Sequence, residues 1–78
     1  MSRSKFSPEY TRFLSLLRRA REDQGITQAA LARLLDRDQT YVSKCESGER
    51  RVDIVELMHF CIAIGIPFSK FVKELEQK

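Results

Sequence analysis

The sequence predicts an all-α fold, a compact five-helix bundle in a single domain spanning residues 1–78. Three observations carry the prediction. Apolar residues recur at three- and four-residue spacing along most of the chain, and nothing alternates with period two. Gly25, Gly48 and Gly65 close three of the periodic stretches, and capping residues open several of them. No repeat or low-complexity linker divides the stretches, so the 78 residues make one small domain. A chain this short buries only about 60–65% of its unfolded surface, so its core is thin and a second copy would add burial.

Met1–Phe6 is polar, basic and short, and is expected to fray. Ser7-Pro8-Glu9 then supplies a capping hydroxyl, a proline for the first helical position and an acid for the first turn. Tyr10, Phe13, Leu14, Leu17 and Ala20 follow at helical spacing, and Gly25 ends a first helix over roughly 8–24. Thr27 caps a second helix, about Gln28 to Leu35, which buries Leu31, Ala32 and Leu35. Asp36-Arg37 makes a turn. Asp38 caps a third helix, about Gln39 to Ser47, with Val42 and Cys45 inward and Gly48 as its stop. After the charged loop Glu49-Arg50-Arg51, a fourth helix runs from about Asp53 to Ile64 with Leu57, Phe60, Cys61 and Ile64 on one face. Gly65 and Pro67 separate it from a fifth, about 68–75, which presents Phe68, Phe71, Val72 and Leu75.

Composition narrows the class. A hydrophobic fraction of 42% and a charged fraction of 32% suit a folded domain rather than a disordered one. The net charge of +3 is unevenly spread: residues 1–51 carry eleven Lys/Arg against seven Asp/Glu, residues 52–78 three against four. The basic part contains helices two and three, which fits a partner bearing phosphates as well as a merely solvated face. Cys45 and Cys61 lie in apolar patterns without metal spacing and are expected to be buried, reduced thiols. The N-terminus lacks the apolar core of a secretory signal and no apolar run reaches membrane-spanning length, so a cytoplasmic location with no membrane partner is expected.

Helices two and three, each about eight residues, flank a turn of three. That is the proportion of a helix-turn-helix over about 27–48. The order Gly25-Ile26-Thr27-Gln28, Leu31-Ala32, Val42-Ser43-Lys44, Glu46-Ser47-Gly48 and Ile64-Gly65-Ile66 resembles the Cro/C1-type helix-turn-helix family, the xenobiotic-response-element-like regulators. The likeness covers roughly residues 14–72. The resemblance implies a lambda-repressor-like DNA-binding domain acting on double-stranded DNA. The short length and the apolar run in helix four further resemble the controller proteins of restriction–modification systems, which makes RNA polymerase a candidate partner.

A helix-turn-helix assigns roles by geometry. The N-terminus of helix two offers free N–H groups and a positive dipole end, so Gln28 is placed for the DNA backbone, as the family's matching Gln is. The first turn of helix three is expected to enter the major groove, with Gln39, Thr40 and Lys44 at base edges and Ser43 at a base or phosphate. Tyr41, on the flank, either contacts phosphate through its hydroxyl or packs against helix two. Ser47, Arg50 and Arg51 follow the recognition helix and are candidates for the backbone, with Arg18, Arg19 and Arg37 weaker candidates of the same kind. By the resemblance, Arg21 and Glu46 form a partly buried ion pair that sets the angle of helix three. Three positions depart from the family pattern. Asp36 stands for the turn's usual Gly, Arg37 for an apolar plug, and Cys45 for a bulkier aliphatic residue that would fill the core better.

Helix four has more apolar surface than one core face needs: Val55, Met58 and Ile62 are offset from its core stripe. With Phe68 of helix five they are the expected interface of a homodimer, in a dimerisation region over about 52–76. The competing reading packs the stripe within the chain itself. His59 has no second ligand near it in sequence, and no nucleophile–base pair, paired carboxylates or phosphate-cradling glycine loop stands out. The expectation is therefore no metal, no cofactor and no enzyme. Two readings of function remain. One is a dimeric transcription regulator at an inverted-repeat operator, acting as repressor or activator. The other is a protein-interaction module, such as an antitoxin, that uses helices four and five.

Overall fold

The computed structural model describes residues 7–77, and these form five helices: α1 Pro8–Asp23, α2 Gln28–Leu34, α3 Gln39–Ser47, α4 Ile54–Ile64 and α5 Phe68–Glu76. The expectation for Met1–Phe6 lies outside the described residues. Four helices begin with a side-chain cap. The oxygens of Ser7, Thr27 and Asp38 accept from the N–H groups of Tyr10, Ala30 and Tyr41 at 3.0, 3.0 and 3.1 Å. Asp53, expected inside helix four, is instead its N-cap. Its carboxylate accepts from Glu56 N–H at 2.7 Å while Glu56 Oε1 accepts from Asp53 N–H at 2.9 Å, a reciprocal capping box.

The turn between α2 and α3 shows how Asp36 replaces a glycine. After α1, Gly25 takes φ 71°, with Gly25 N–H on Glu22 O and Ile26 N–H on Arg21 O. After α2, Asp36 takes φ 59°, with Asp36 N–H on Arg33 O and Arg37 N–H on Ala32 O. The two closures are the same paired-bond motif. Asp tolerates the left-handed region better than most residues but is still strained there relative to Gly. Asp36→Gly is therefore expected to stabilise the domain by about 1 kcal/mol, less the extra freedom that Gly gives the unfolded chain. Thermal unfolding should show a rise of a few degrees. A lower melting temperature would mean that the Asp36 side chain offsets its own strain.

The core is built where the five helices converge. It holds Phe13 and Leu17 of α1, Leu31 and Ala32 of α2, Val42 and Cys45 of α3, four residues of α4, and Phe71 of α5. The four from α4 are Leu57, Phe60, Cys61 and Ile64, as the spacing predicts. Leu35, expected to be buried, sits half-buried at the rim. Phe13 meets Phe71 edge-on at 5.8 Å, and Arg12 donates to Glu74 O at 2.5 Å, which ties α1 to α5. The loop before α4 is pinned to α1, because Val52 N–H donates to the Tyr10 hydroxyl at 3.0 Å. Both cysteines are free and buried, and burial pushes their thiols up from the usual range.

Candidate nucleic-acid interface

The pairing of α2 with α3 is the most extensive helix contact, and one carboxylate organises it. Arg21 Nε donates to Glu46 Oε2 at 2.6 Å and Arg21 Nη2 to Oε1 at 3.0 Å, a two-pronged ion pair. The two side chains are only 9% and 1% exposed. The hydrogen bond to Glu46 raises the Arg21 pKa above the ordinary guanidinium value. Arg21 Nη1 also donates to Ile26 O at 2.8 Å, just before α2 begins. Gln28, at the first position of α2, donates its amide to Glu46 Oε1 at 3.0 Å, and Arg18 Nε lies 3.8 Å from the same oxygen. Glu46 thus joins α1, α2 and α3 at one point. The bond also orients Gln28; its amide keeps a second N–H donor for another partner.

Outside this anchor, α3 presents Gln39, Thr40, Ser43 and Lys44, all exposed. No hydrogen bond or ion pair engages these four side chains among the described residues. Three hydrogen-bonding side chains and a cation therefore stand on the first turns of a short helix whose opposite face holds the buried Val42 and Cys45. The residues after α3 are more engaged. The Ser47 hydroxyl donates to Lys44 O at 3.1 Å and accepts from Glu49 N–H. Arg50 pairs with Glu56 at 2.9 Å, and the Arg51 guanidinium lies 4.1 Å over the Tyr10 ring.

The Tyr41 ring lies near Phe60 of α4, centroids 6.1 Å apart. Two guanidinium carbons lie close to the same ring, Arg37 at 3.8 Å and Arg50 at 4.9 Å. Arg37, which stands for the missing apolar plug, is thus exposed and laid against an aromatic ring instead of entering the core. Partial burial raises the Tyr41 pKa, so the ring carries a neutral hydroxyl at physiological pH.

Of the four α4–α5 residues assigned to an interface, Val55, Met58 and Ile62 are exposed, while Phe68 is half-buried against its own core. Leu34 and Ile54 are exposed as well, which sequence reasoning missed. Leu34, Leu35, His59, Ile62 and Ala63 line one shallow groove of about 250 Å³. The signal for Leu34 was present: α2 carries Leu31 and Leu34 with Leu35 as its C-cap, more large apolar residues than one narrow core stripe takes. The Arg50–Glu56 pair left no such trace, since it joins a loop to a helix six residues on. Among the described residues no three His, Cys, Asp or Glu side chains gather to hold a metal, and no single helix is long and apolar enough to cross a membrane.

The fold and this surface define a helix-turn-helix domain. The helix-turn-helix domain family matches residues 12–67, and the chain belongs to the DNA-binding transcription regulators of this family, of the XRE or Cro type. A curated relative, "Control protein C.MunI" of Mycoplasma sp, is 31% identical over 68 residues, 86% of this chain and 92% of the relative. A solved structure, the "XRE-family like protein" of Pseudomonas syringae pv. tomato, is 46% identical. It superposes with a TM-score of 0.84 and covers 87% of this chain and 83% of that one.

Proposed function

We propose that the protein is a homodimeric transcription regulator that reads an inverted-repeat operator, one recognition helix α3 in each of two successive major grooves. The observation that carries this is the set of four unengaged side chains on α3, held at a fixed angle by the buried Arg21–Glu46 pair. Gln39 can pair bidentately with adenine, Lys44 can donate to guanine, and Thr40 can meet a thymine methyl. Ser43 takes a base or phosphate. Gln28, Ser47, Arg50 and Arg51 contact the backbone, which fixes register and makes affinity fall with salt. Likeness to a protein named as a control protein supports the narrower reading, a cytoplasmic controller of restriction–modification genes that acts beside RNA polymerase.

Band-shift titration of the DNA flanking the protein's own gene, at two salt concentrations, tests the reading. Specific, salt-sensitive retardation is expected; retardation of no fragment by a folded protein would refute it. Lys44→Ala should cost about 1–3 kcal/mol on the specific fragment and much less on random duplex, because a base contact discriminates and a phosphate contact does not. Equal loss on both would move Lys44 from base to backbone. The second reading, a protein-interaction module, draws on the exposed apolar residues of α4. A hetero-complex formed through that face, with no specific DNA binding, would favour it.

A further inference from the structure

We propose that Arg37 is a phosphate-contacting residue of the DNA interface, and that Tyr41 acts there as a platform positioning Arg37 and Arg50 rather than through its hydroxyl. The proposal rests on the DNA-binding reading above. Arg37 lies in the turn that leads into α3, and Tyr41 lies within the first turn of that helix. Both guanidiniums lie against the ring of Tyr41, the residue that follows Thr40 on α3. The Tyr41 ring is fixed from behind by Phe60, and the helix start beneath it is fixed by the Asp38 cap on Tyr41 N–H. A ring held this way removes much of the freedom of any guanidinium laid on it.

The two cations differ in what else holds them. Arg50 is also paired with Glu56 at 2.9 Å, and Glu56 is itself locked by the capping box with Asp53. Arg37 has no carboxylate partner among the described residues; its guanidinium carbon lies 3.8 Å from the Tyr41 ring centroid. Its charge is exposed and uncompensated. A guanidinium stacked through its face keeps its N–H edge for a phosphate, and its planar fork suits phosphate oxygens. Two such forks around one ring can bracket one stretch of DNA backbone at the flank of the recognition helix. The tyrosine's contribution is orientation, which any comparable aromatic ring supplies.

The salt dependence of binding to a random-sequence DNA duplex, read by fluorescence anisotropy, tests this without knowledge of the operator. Each phosphate neutralised contributes about 0.9 to the slope of log affinity against log salt. Arg37→Gln should reduce the slope by about one unit, so that its affinity falls about 3–4-fold less than wild type between 50 and 200 mM salt. Tyr41→Phe keeps the ring and should keep both the wild-type slope and the wild-type affinity at fixed salt, whereas Tyr41→Leu should lower the slope. A wild-type slope in Arg37→Gln, an exposed change that leaves the core intact, overturns the assignment of Arg37. A loss of affinity in Tyr41→Phe at fixed salt, with the slope unchanged, overturns the platform and returns the contact to the hydroxyl, which is neutral and adds nothing to the slope. Wild-type protein that shows no salt-dependent binding at all overturns the DNA-binding reading beneath both.

Discussion

Arg21→Ala is expected to lower the stability of the domain by about 3–5 kcal/mol, the cost of leaving one member of a buried ion pair uncompensated. The Glu46 side chain is 1% exposed and cannot return to water without moving α3. Two neighbours soften the loss. Gln28 still donates to Glu46, and Arg18, 3.8 Å away and itself 54% exposed, can swing closer. Against them stands the lost donor to Ile26 O, which frees a carbonyl just ahead of α2. A domain of this size holds roughly 4–12 kcal/mol in all. At about 4–8 °C per kcal/mol the melting temperature should fall by more than 10 °C. DNA affinity should fall too, since the angle of α3 and the pose of Gln28 both depend on Glu46. An unchanged melting temperature would sink the anchor role.

A companion variant separates stability from positioning. Replacing both partners with apolar residues, Arg21→Met with Glu46→Leu, removes the desolvated charges together and is expected to restore most of the stability. It cannot restore the bond that orients Gln28. The double variant should therefore melt near wild type yet bind DNA more weakly. Recovery of both properties would show that Gln28 needs no second anchor.

This pair also shows where sequence reasoning reaches and where it stops. The helices were legible because their causes are local. Caps at Ser7, Thr27 and Asp38, the glycine stops, and the 3.6-residue apolar period each act within a turn or two. Asp53 was misplaced by one position because a capping carboxylate and a first-turn acid look alike until the Glu56 side chain is seen to reach back. Arg21 and Glu46 are 25 residues apart, and only likeness to a family connected them in advance. Nothing in the chain's own spacing does so. The environment of Tyr41 was hidden for the same reason: it is set by Phe60 from another helix and by Arg50 from a loop. The four α3 side chains were legible as a group because a helix with one buried face must show the other.

Ile62→Glu is expected to turn the proposed dimer into a monomer and to weaken operator binding by about 10²–10⁴-fold. One half-site offers a recognition helix only a few base pairs, so the second subunit's contribution is an effective-concentration gain of that order. Ile62 is 74% exposed, more than any other large apolar side chain among the described residues, with Met58 and Val55 in the same run of α4. In the proposed dimer a carboxylate there would face its own copy across a two-fold axis, where like charges must be desolvated together. Two bodies of 38 × 27 × 21 Å placed side by side can span the roughly 34 Å between successive major grooves. The isolated fold should be nearly indifferent, within about 0.5 kcal/mol, because the substitution is on the surface. That difference gives a clean readout. The wild-type melting temperature should rise with protein concentration, as mass action requires of a dimer, while that of Ile62→Glu should not. Sedimentation should give twice the chain mass for wild type and one chain for the variant. A wild-type monomer at high micromolar concentration would refute the interface, and Leu34, which shares a groove with Ile62, would then have to be explained by a partner of another kind.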